Sequence, residues 1–543
     1  MVQYQPVQLP LSAPESQNPN SALDMSRENS PQPQGIDPTS LVTAPMNNLY
    51  DLTRLKNLRN NLSSKPQASP IEKDFISQGV ISMAIAEFLF NRFLECNNRM
   101  LWDGLLLVHE TLDSVRRSST LLAAAILTVG ALHTPNQTDA FHQCYNVFVS
   151  LASAVALSRY HSLDDVRALC IGAFYLANLS WKLSGLATRI AAEMGLHQSF
   201  HQLMQGDPTR MEHVRVWYAT YVCDHQFSIA HGRPPAAVDD ESVRNIRQFL
   251  QLDQTCPGDV RLAAQVDLFR ILTEAYMKFG SDPNRVLDDE DMNKLHAFNR
   301  AVEEWQLEWV PRSSDCPFLG TYPSKALDLY SHFARFQLNS LALCSVSYLG
   351  IDAASMDALS PAHIQAANCA LSAAADTLRA FGDGPDRGRV FCNVPIFTFT
   401  MVAFCATFLL KITATWGRDV TRGLAKEKGL NIPDVDNVRL VESLTLKLSI
   451  YATQLNAKHL AEHIADGLDG MLVKYRDLLV RTRLCNPLLT SHSPPATNQE
   501  VSGENAVWTG EYNLHNLGGT FGFGLDETLL GQMAEDSFEM WSQ

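Results

Sequence analysis

Two short runs of the sequence contain residue types that bind metal ions. His459 and His463 lie on either side of Glu462, and on one helix the two imidazoles would share a face, as a zinc-binding pair requires. The acidic run Asp288–Asp291 resembles the Asp-rich helices with which all-α enzymes hold magnesium diphosphate. A metal-dependent all-α enzyme is therefore one hypothesis for this chain.

Neither run completes a catalytic site. The zinc-protease pattern needs a Glu further along the chain, and the candidates lie in a Gly-rich acidic stretch at the C-terminus. The acidic run lacks the last residue of D-D-x-x-D, because position 292 is Met. Acidic residues are also expected at a helix start, where they cap N–H groups and face the positive end of the helix dipole. We predict a first-turn cluster at Asp288–Asp291 and no catalysis at His459 and His463.

Other combinations of reactive residues have the wrong spacing. Cys223, Asp224 and His225 supply a nucleophile, an acid and a base, but consecutive helical residues point about 100° apart and cannot form a relay. The Gly-rich run 518–524 follows no strand, so it does not match a phosphate-binding loop. We predict that the chain is not an enzyme.

The composition indicates a large buried interior and argues against direct nucleic-acid binding. Of 543 residues, 46% are hydrophobic and 19% are charged, with 43 Lys and Arg against 58 Asp and Glu. The resulting net charge of −15 repels phosphate backbones, so DNA contact would need a separate basic module.

The cysteines and the apolar segments exclude further classes. The eleven cysteines stand singly, and the closest pair is Cys392 and Cys405, so these 543 residues contain no zinc finger, zinc cluster or C-x-x-C redox site. We expect reduced core thiols of an intracellular protein. The first thirty residues are polar and Pro/Gln-rich, with no apolar stretch, so we expect no secretory signal. We interpret the apolar stretch Val394–Leu410 as a buried core helix, and we expect no membrane partner.

Between about residues 71 and 490, apolar residues recur with the helical period of 3.6 and show almost no strand alternation. We predict an all-α body over 71–490. Its clearest predicted helices are Leu121–Leu132, Ser180–Met194, Glu212–His231, Ala326–Tyr348, Pro361–Phe381 and Val438–Val480. Gly195 and Gly232 stand where the second and third of these helices should end.

Both flanks have compositions that do not favour a packed core. Residues 1–70 carry ten of the 26 prolines and are rich in Gln, Ser and Asn, which predicts a disordered linker. Within it, the Leu pattern of residues 49–62 fits either a short dimerisation helix or a transient amphipathic helix.

Residues 491–543 form the second predicted disordered flank. From 501 to 543 the chain has seven acidic residues, no Lys or Arg, and interleaved aromatic and leucine side chains. This pattern is typical of an activation segment that a coactivator groove binds, although an ordinary flexible terminus is the alternative. The candidate activation residues are Asp526, Glu527, Leu529, Leu530, Phe538 and Trp541.

Two stretches of the body resemble signatures of the fungal zinc-cluster transcription factors. In the first, the matching residues are Trp181, Gly185, Arg189, Glu193, Gly195 and His197. In the second, they are Arg215, Trp217, Tyr221, Asp224, Gly232, Arg233 and Pro234. The apolar stretch Ser118–Ile126 also lies where this family has an apolar helix. The resemblance covers most of 71–490 and is sharpest over 115–245.

The resemblance implies a modular nuclear regulator of RNA polymerase II transcription, and specifically a pathway-specific activator. In such a protein a zinc cluster reads DNA, a short coiled coil forms a homodimer or heterodimer, a large helical region regulates, and an acidic tail contacts coactivators. The arrangement is similar to the branch of leucine-pathway, weak-acid-response and secreted-protease regulators.

The resemblance also implies that the signature residues are architectural. Trp217, Tyr218 and Tyr221 are expected in the core, and Gly185 at a close helix crossing. The first signature also contains a pair spaced at i,i+4, Arg189 and Glu193, which we expect to form an ion pair.

The sequence departs from the family where DNA is read. The first cysteine is Cys96, already inside the helical body, so no DNA-binding residue can be assigned and no cofactor is expected in this chain. His225 also stands where many members have Arg. DNA binding is expected only if a zinc cluster lies upstream of these residues, and the alternative is a co-regulator without DNA contact.

Overall fold

The computed structural model describes residues 74–158, 160–280, 282, 285–344, 360–382, 390–416 and 426–485. Within these ranges the regular elements are helices, and the one β feature is an isolated antiparallel bridge between Cys316 and Gly320. The all-α prediction is confirmed. The linker 1–70 with its possible helix at 49–62, and the tail 491–543, lie outside the described residues.

The helices of the first half, in chain order, are α1 (Met83–Arg92), α2 (Leu112–Ser118), α3 (Thr120–Leu132), α4 (Thr138–Val155), α5 (Leu163–Tyr175), α6 (Ser180–Glu193), α7 (Ser199–Met204) and α8 (Met211–Ala230). The helices of the second half are α9 (Glu241–Arg244), α10 (Ile246–Phe249), α11 (Pro257–Phe279), α12 (Asp289–Trp309), α13 (Tyr322–Ser340), α14 (Pro361–Gly382), α15 (Ile396–Trp416), α16 (Asp434–Ala452) and α17 (Leu460–Cys485). Helix α1 continues as a π turn over Phe93–Asn97.

The centre of the first half is α3, as its sequence predicts. Every residue from Leu121 to Leu132 is buried, and the helix packs against α1, α4 and α5. Gly130 allows α1 to approach closely, because a Cβ at this position would lie 2.5 Å from the carbonyl oxygen of Leu89. A helix that is apolar on all sides is stable only when neighbours cover every face.

The centre of the second half is α15. Its segment Ile396–Ala414 is the one described helix long and apolar enough to cross a membrane, and 89% of that stretch is buried inside the protein. The helix packs against α14, α16 and α17, and its phenylalanines contact aromatic rings of α13 and α14. The interpretation of this stretch as a core helix is confirmed.

Two predicted helix boundaries are wrong. The helix predicted over Val438–Val480 is two antiparallel helices, α16 and α17, joined by a turn. Asn456 holds this turn, because its amide group donates to the carbonyl of Ala131 and its backbone N–H to the carbonyl of Leu132, at the end of α3. A long-range contact therefore breaks a continuous helical pattern that contains no Pro.

The helix predicted over Ala326–Tyr348 begins earlier, at Tyr322, and ends at Ser340. Pro323 favours the early start, because proline fits the first helical turn, where its missing N–H has no acceptor. A single 3₁₀ turn, Leu341–Leu343, follows the helix. Residues 345–348 of the prediction lie outside the described residues.

Polar contacts join the two halves. The Tyr175 hydroxyl donates to the carbonyl of Asn97 at 2.7 Å, and the Asn97 side chain lies 3.5 Å from the carbonyl of Asn393. Together with the Asn456 bonds, these contacts place α3, α5 and α15 around one shared core. The described residues accordingly fall in one compact unit.

Candidate functional site

Helix α6 carries the first signature and ends as its sequence predicts. Its apolar residues face the core, and Gly195 follows at φ 73°. The N–H of Gly195 donates to the carbonyl of Ala192, and the N–H of Met194 donates to that of Ile190. A positive φ at a helix end favours glycine, because a Cβ is strained there. Gly195 is therefore the stop that turns the chain toward α7.

Helix α8 carries the second signature and is almost entirely buried. Trp217, Tyr218 and Tyr221 lie in the core, as expected. Their polar ends hold the chain that follows the helix. The Trp217 indole N–H donates to Asp240 at 2.9 Å, and the Tyr221 hydroxyl donates to Asp239 at 2.5 Å.

Asp224 fixes the segment that leaves α8. Its carboxylate is 2% exposed and accepts backbone N–H bonds from Ala236 and Ala237 at 2.7 and 2.8 Å. Ser228, one turn along α8, also donates to it. Burial raises the pKa of Asp224, because the loss of solvation outweighs these hydrogen bonds. The Tyr-x-x-Asp of the signature is thus a loop clamp.

The Gly-Arg-Pro exit joins the two signatures. Gly232 has φ 62°, and its carbonyl accepts a bond from the Tyr276 hydroxyl at 3.0 Å. The Arg233 guanidinium lies 4.0 Å above the ring centre of Trp181 in the first signature. Pro234 follows on the surface. Residues that the sequence places in two separate motifs therefore meet at one point of the fold.

Arg215 links α8 to α11. Its guanidinium binds Asp259 through two contacts, Nε to Oδ1 at 2.9 Å and Nη2 to Oδ2 at 2.7 Å. Asp259 is fully buried and also accepts the N–H of Cys256, which caps α11. Burial lowers the pKa of Arg215, but the bonds to Asp259 more than offset this effect and leave it raised. This arginine has a structural partner inside the chain.

Two contacts expected of the first signature do not form. A Cβ added at Gly185 would meet no atom within 4 Å, so Gly185 is not at a close helix crossing. Arg189 and Glu193 are both exposed and do not pair, and the Glu193 carboxylate lies instead 4.0 Å from His161 Nε2. The i,i+4 spacing made the pair possible but could not show that another element competes for Glu193.

His197 lies beside the second signature. Its ring is 6.0 Å from that of Trp217, and its Nδ1 is buried without a hydrogen-bond partner. The position links the Gly-Leu-His end of α6 to the core face of α8. Sequence reasoning missed the partners that complete both signatures, Asp239, Asp240 and Asp259, because nothing in a local pattern identifies the acidic residue to which a distant side chain will bond.

The acidic run at α12 is a helix cap. Asp288 accepts the N–H of Asp291 at 2.8 Å. Asp291 lies 2.8 Å from both Lys278 and Arg285, which lower its pKa against the opposing effect of burial. The predicted first-turn cluster is confirmed, and Asp291, the one of these carboxylates that is buried, is already neutralised by two cations.

The His459 and His463 pair does not have the geometry of a zinc site. His459 lies just before α17 and not on it, so the expectation that both imidazoles share a helix face is wrong. Its buried Nδ1 accepts the N–H of Ala461, and its ring packs against His133 at 4.9 Å between centres. In the described ranges, no group of three His, Cys, Asp or Glu side chains could hold a metal ion.

The cysteines present here do not fit a zinc cluster either. The ten that the structure describes are all free. Burial raises the pKa of Cys144 and Cys344 to about 12 and that of Cys392 to about 11, so these thiols are protonated at neutral pH.

Comparison with known proteins identifies this arrangement. Residues 105–245 match the fungal specific transcription factor domain. The chain is 43% identical over 524 residues to the transcriptional activator of proteases prtT of Emericella nidulans, an alignment that covers 94% of this chain and 76% of that protein. The chain belongs to this family of fungal transcription factors. It is also 24% identical over 235 residues to the activatory protein CHA4 of Saccharomyces cerevisiae, covering 35% of this chain and 36% of that protein.

The family match spans both signatures and the loop clamp. The resemblance to the fungal zinc-cluster regulators is confirmed, and the narrower placement beside protease regulators is supported. This fungal transcription factor is a pathway-specific transcriptional activator and not an enzyme, which removes the all-α enzyme alternative.

Proposed function

We propose that this protein acts in the nucleus and that the genes it activates encode proteases. The observation that supports this proposal most directly is the 43% identity, across 94% of the chain, with an activator of proteases. The similarity extends over almost the whole chain, including the helical body that contains both signatures. The nuclear location follows from the work of a transcriptional activator on chromosomal promoters.

The acidic tail is the proposed contact with coactivators. Residues 501–543 combine seven acidic side chains with aromatic residues and leucines and contain no Lys or Arg. Such a segment can fold as a short helix in a hydrophobic groove of a partner. The acidic residues keep the apolar ones in solution until a partner binds. Leu529, Phe538 and Trp541 would then supply the buried anchors.

DNA contact is proposed to require a separate module or a partner protein. The two arginines of the second signature are not directed at phosphate, because Arg215 binds Asp259 and Arg233 stacks on Trp181. The net charge of −15 also opposes approach to DNA. A homodimer or heterodimer formed through residues 49–62 would double the number of half-sites that an attached DNA-binding module reads.

The proposed target genes can be tested in a strain that lacks the gene. We expect transcripts of secreted proteases, and protease activity in the medium, to fall at least several-fold. The wild-type gene should restore both. A gene with Leu529→Ala, Phe538→Ala and Trp541→Ala should restore neither, although the protein accumulates normally.

A matched control is Gln532→Ala, Ser537→Ala and Ser542→Ala, which changes three polar residues of the same stretch and should restore full activity. Unchanged protease transcripts in the deletion strain would contradict the proposed targets. Full activity of the triple apolar variant would contradict the role of the tail alone.

The mode of DNA contact needs a second experiment. Purified chain 1–543 should not shift a protease promoter fragment at physiological salt, whereas chromatin immunoprecipitation of the tagged protein should recover that promoter. Sequence-specific binding by the purified chain would show that residues 1–543 read DNA themselves.

A further inference from the structure

The outer face of the hairpin formed by α16 and α17 carries aliphatic side chains that the described residues leave uncovered. Leu446 and Ile450 of α16 are 64% and 49% exposed, and Val473 and Val480 of α17 are 45% and 55% exposed. A single exposed aliphatic residue needs no explanation, but several on one surface mark an interaction site. We call these four residues the hairpin patch.

The packing of the two helices makes the hairpin patch continuous. The Arg476 guanidinium of α17 binds the Glu442 carboxylate of α16 at 2.8 Å, and both side chains are partly exposed on the outer side of the hairpin. Leu446 lies one turn beyond Glu442 on α16, and Val473 lies one turn before Arg476 on α17. Because the helices are antiparallel, both steps lead in the same direction. Leu446 and Val473 are therefore neighbours on this face.

Residues spaced by seven, about two helical turns, form three rows across the face. The middle row is Leu446 with Val473. Arg439 lies two turns before Leu446, at one end of the hairpin. Thr453 lies two turns beyond Leu446, and Asp466 lies beside Thr453, since both line one groove. The face therefore has a cation at one end and an anion at the other, at equal distances from Leu446.

The groove at the acidic end suits a guanidinium group. Its volume is about 370 Å³, and two of the side chains that line it are the carboxylates of Glu462 and Asp466. Neither carboxylate forms an ion pair with another described residue, and the lining contains no Lys, Arg or His. At the other end Arg439 is 74% exposed and lies 4.0 Å from the exposed Asp436. An exposed contact of that length contributes little, so Arg439 can bind another acceptor.

We propose that the outer face of α16 and α17 binds the same face of a second copy of this chain, with Arg439 of each copy in the acidic groove of the other. A two-fold axis that lies between the two faces and crosses the helices at the middle row brings the Arg439 end of one copy over the Asp466 end of its partner. The same axis places Leu446 against its own counterpart. An isologous contact requires a self-complementary surface, and the equal spacing on both sides of Leu446 provides one.

The size of the face predicts a weak dimer. Helix α16 has 19 residues, so two helices side by side present a face of about 28 Å by about 20 Å, and two copies would bury about 1,100 Å² in total. Interfaces of this size are at the lower end of the range for specific complexes and are usually transient. We therefore expect a micromolar dissociation constant. This contact is independent of the dimerisation helix considered at residues 49–62.

The test measures self-association of the full chain by sedimentation equilibrium. All proteins carry Leu52→Ser and Leu55→Ser, so that the predicted helix at 49–62 adds no association, and we expect this background protein to form dimers. Arg439→Glu and Asp466→Arg should each raise the dissociation constant at least about tenfold, because like charges then face each other. An equimolar mixture of these two variants should associate as tightly as the background protein, because both contacts of the mixed dimer again join opposite charges.

Two further variants locate the interface. Leu446→Asp should abolish the dimer, because two carboxylates would meet at the axis. Leu307→Asp is the matched control, since Leu307 of α12 is 77% exposed outside the hairpin, and it should leave the dissociation constant unchanged. All four substituted positions are exposed, so thermal midpoints should equal that of the background protein.

Three results would overturn the proposal. The first is a background protein that stays monomeric well above micromolar concentration. The second is a Leu446→Asp or Arg439→Glu variant that dimerises as the background protein does. The third is a mixture of Arg439→Glu and Asp466→Arg that associates no better than either variant alone, because the two charges would then not face each other across a two-fold axis.

Discussion

Two buried charges of opposite sign lie on helices that pack against each other, and their surroundings differ. The Asp224 carboxylate on α8 accepts two backbone N–H bonds from the following loop and one hydroxyl bond from Ser228 of the same helix. Its hydrogen bonding is therefore satisfied inside the chain. Arg261 on α11 has one long contact and a guanidinium nitrogen with none. Both side chains are almost completely removed from solvent.

The comparison separates a buried charge with complete hydrogen bonds from one whose hydrogen bonds are incomplete. A buried charge whose hydrogen bonds are complete stabilises its surroundings, and removing it leaves orphaned donors. A buried charge whose bonds are incomplete destabilises the folded protein, because the cost of removing it from water is not offset. By this criterion the family signatures are structural, and Arg261 is a buried charge whose hydrogen bonds within the described residues are incomplete.

The largest expected effect comes from removing the Asp224 carboxylate. Asp224→Ala should lower the free energy of unfolding by about 3 kcal/mol, because the N–H groups of Ala236 and Ala237 lose their acceptor in the protein interior. Asp224→Asn keeps an oxygen acceptor without a buried charge and should stay within about 1 kcal/mol of wild type. Chemical denaturation of the three proteins measures both effects. Equal losses in the two variants would show that the charge itself is needed.

Two separate glycine-to-alanine variants should have the next largest effects on stability, and these effects should have opposite signs. Gly258→Ala should destabilise the chain by about 2 kcal/mol, because its Cβ would lie 2.2 Å from the Trp102 carbonyl oxygen. Gly185→Ala fills open space on α6 and should stabilise it by about 0.5–1 kcal/mol, since alanine favours the helix. Thermal melts of both variants provide the measurement. Destabilisation by Gly185→Ala would instead support the prediction that Gly185 lies at a close helix crossing.

Replacing His225 is expected to have the smallest effect on stability at neutral pH. This effect grows as the pH falls. Burial lowers the pKa of His225 to about 3, against about 6.5 in the unfolded chain. The neutral imidazole of His225 destabilises nothing above pH 6.5. As the pH falls below 6.5 the free energy of unfolding decreases, because the unfolded chain binds the proton more readily than the folded one. His225→Phe keeps the stack on Tyr221 and should match wild type at pH 7.5. At pH 5 it should be more stable by about 2 kcal/mol. Identical pH profiles would contradict this assignment.

The sequence predicts the helical class, most helix starts and the structural role of the second signature, because these depend on local periodicity and on turn residues. Gly195 and Gly232 end their helices where expected, and Trp217 is buried. The division of α16 from α17 could not be predicted, since Asn456 breaks the pattern through bonds to residues 131 and 132. A local sequence pattern does not identify a hydrogen-bond acceptor that lies more than 300 residues away in the chain.

The two buried charges also differ in whether the sequence alone identifies them. Asp224 stands in a motif with recognisable spacing. Arg261 is an ordinary arginine in a helix, and its incomplete hydrogen bonding depends on which groups surround it after folding. A missing partner is a property of the folded arrangement alone, so no spacing rule could have identified it.

One measurement tests this contrast most directly, the thermal unfolding of full-length Asp224→Ala and Arg261→Met beside wild type in carboxylate-free chloride buffer. We expect the midpoint to fall for Asp224→Ala and to rise for Arg261→Met, because the first removes a satisfied charge and the second an unsatisfied one. A fall in both midpoints would show that Arg261 is compensated inside the chain, and the distinction between the two buried charges would be wrong.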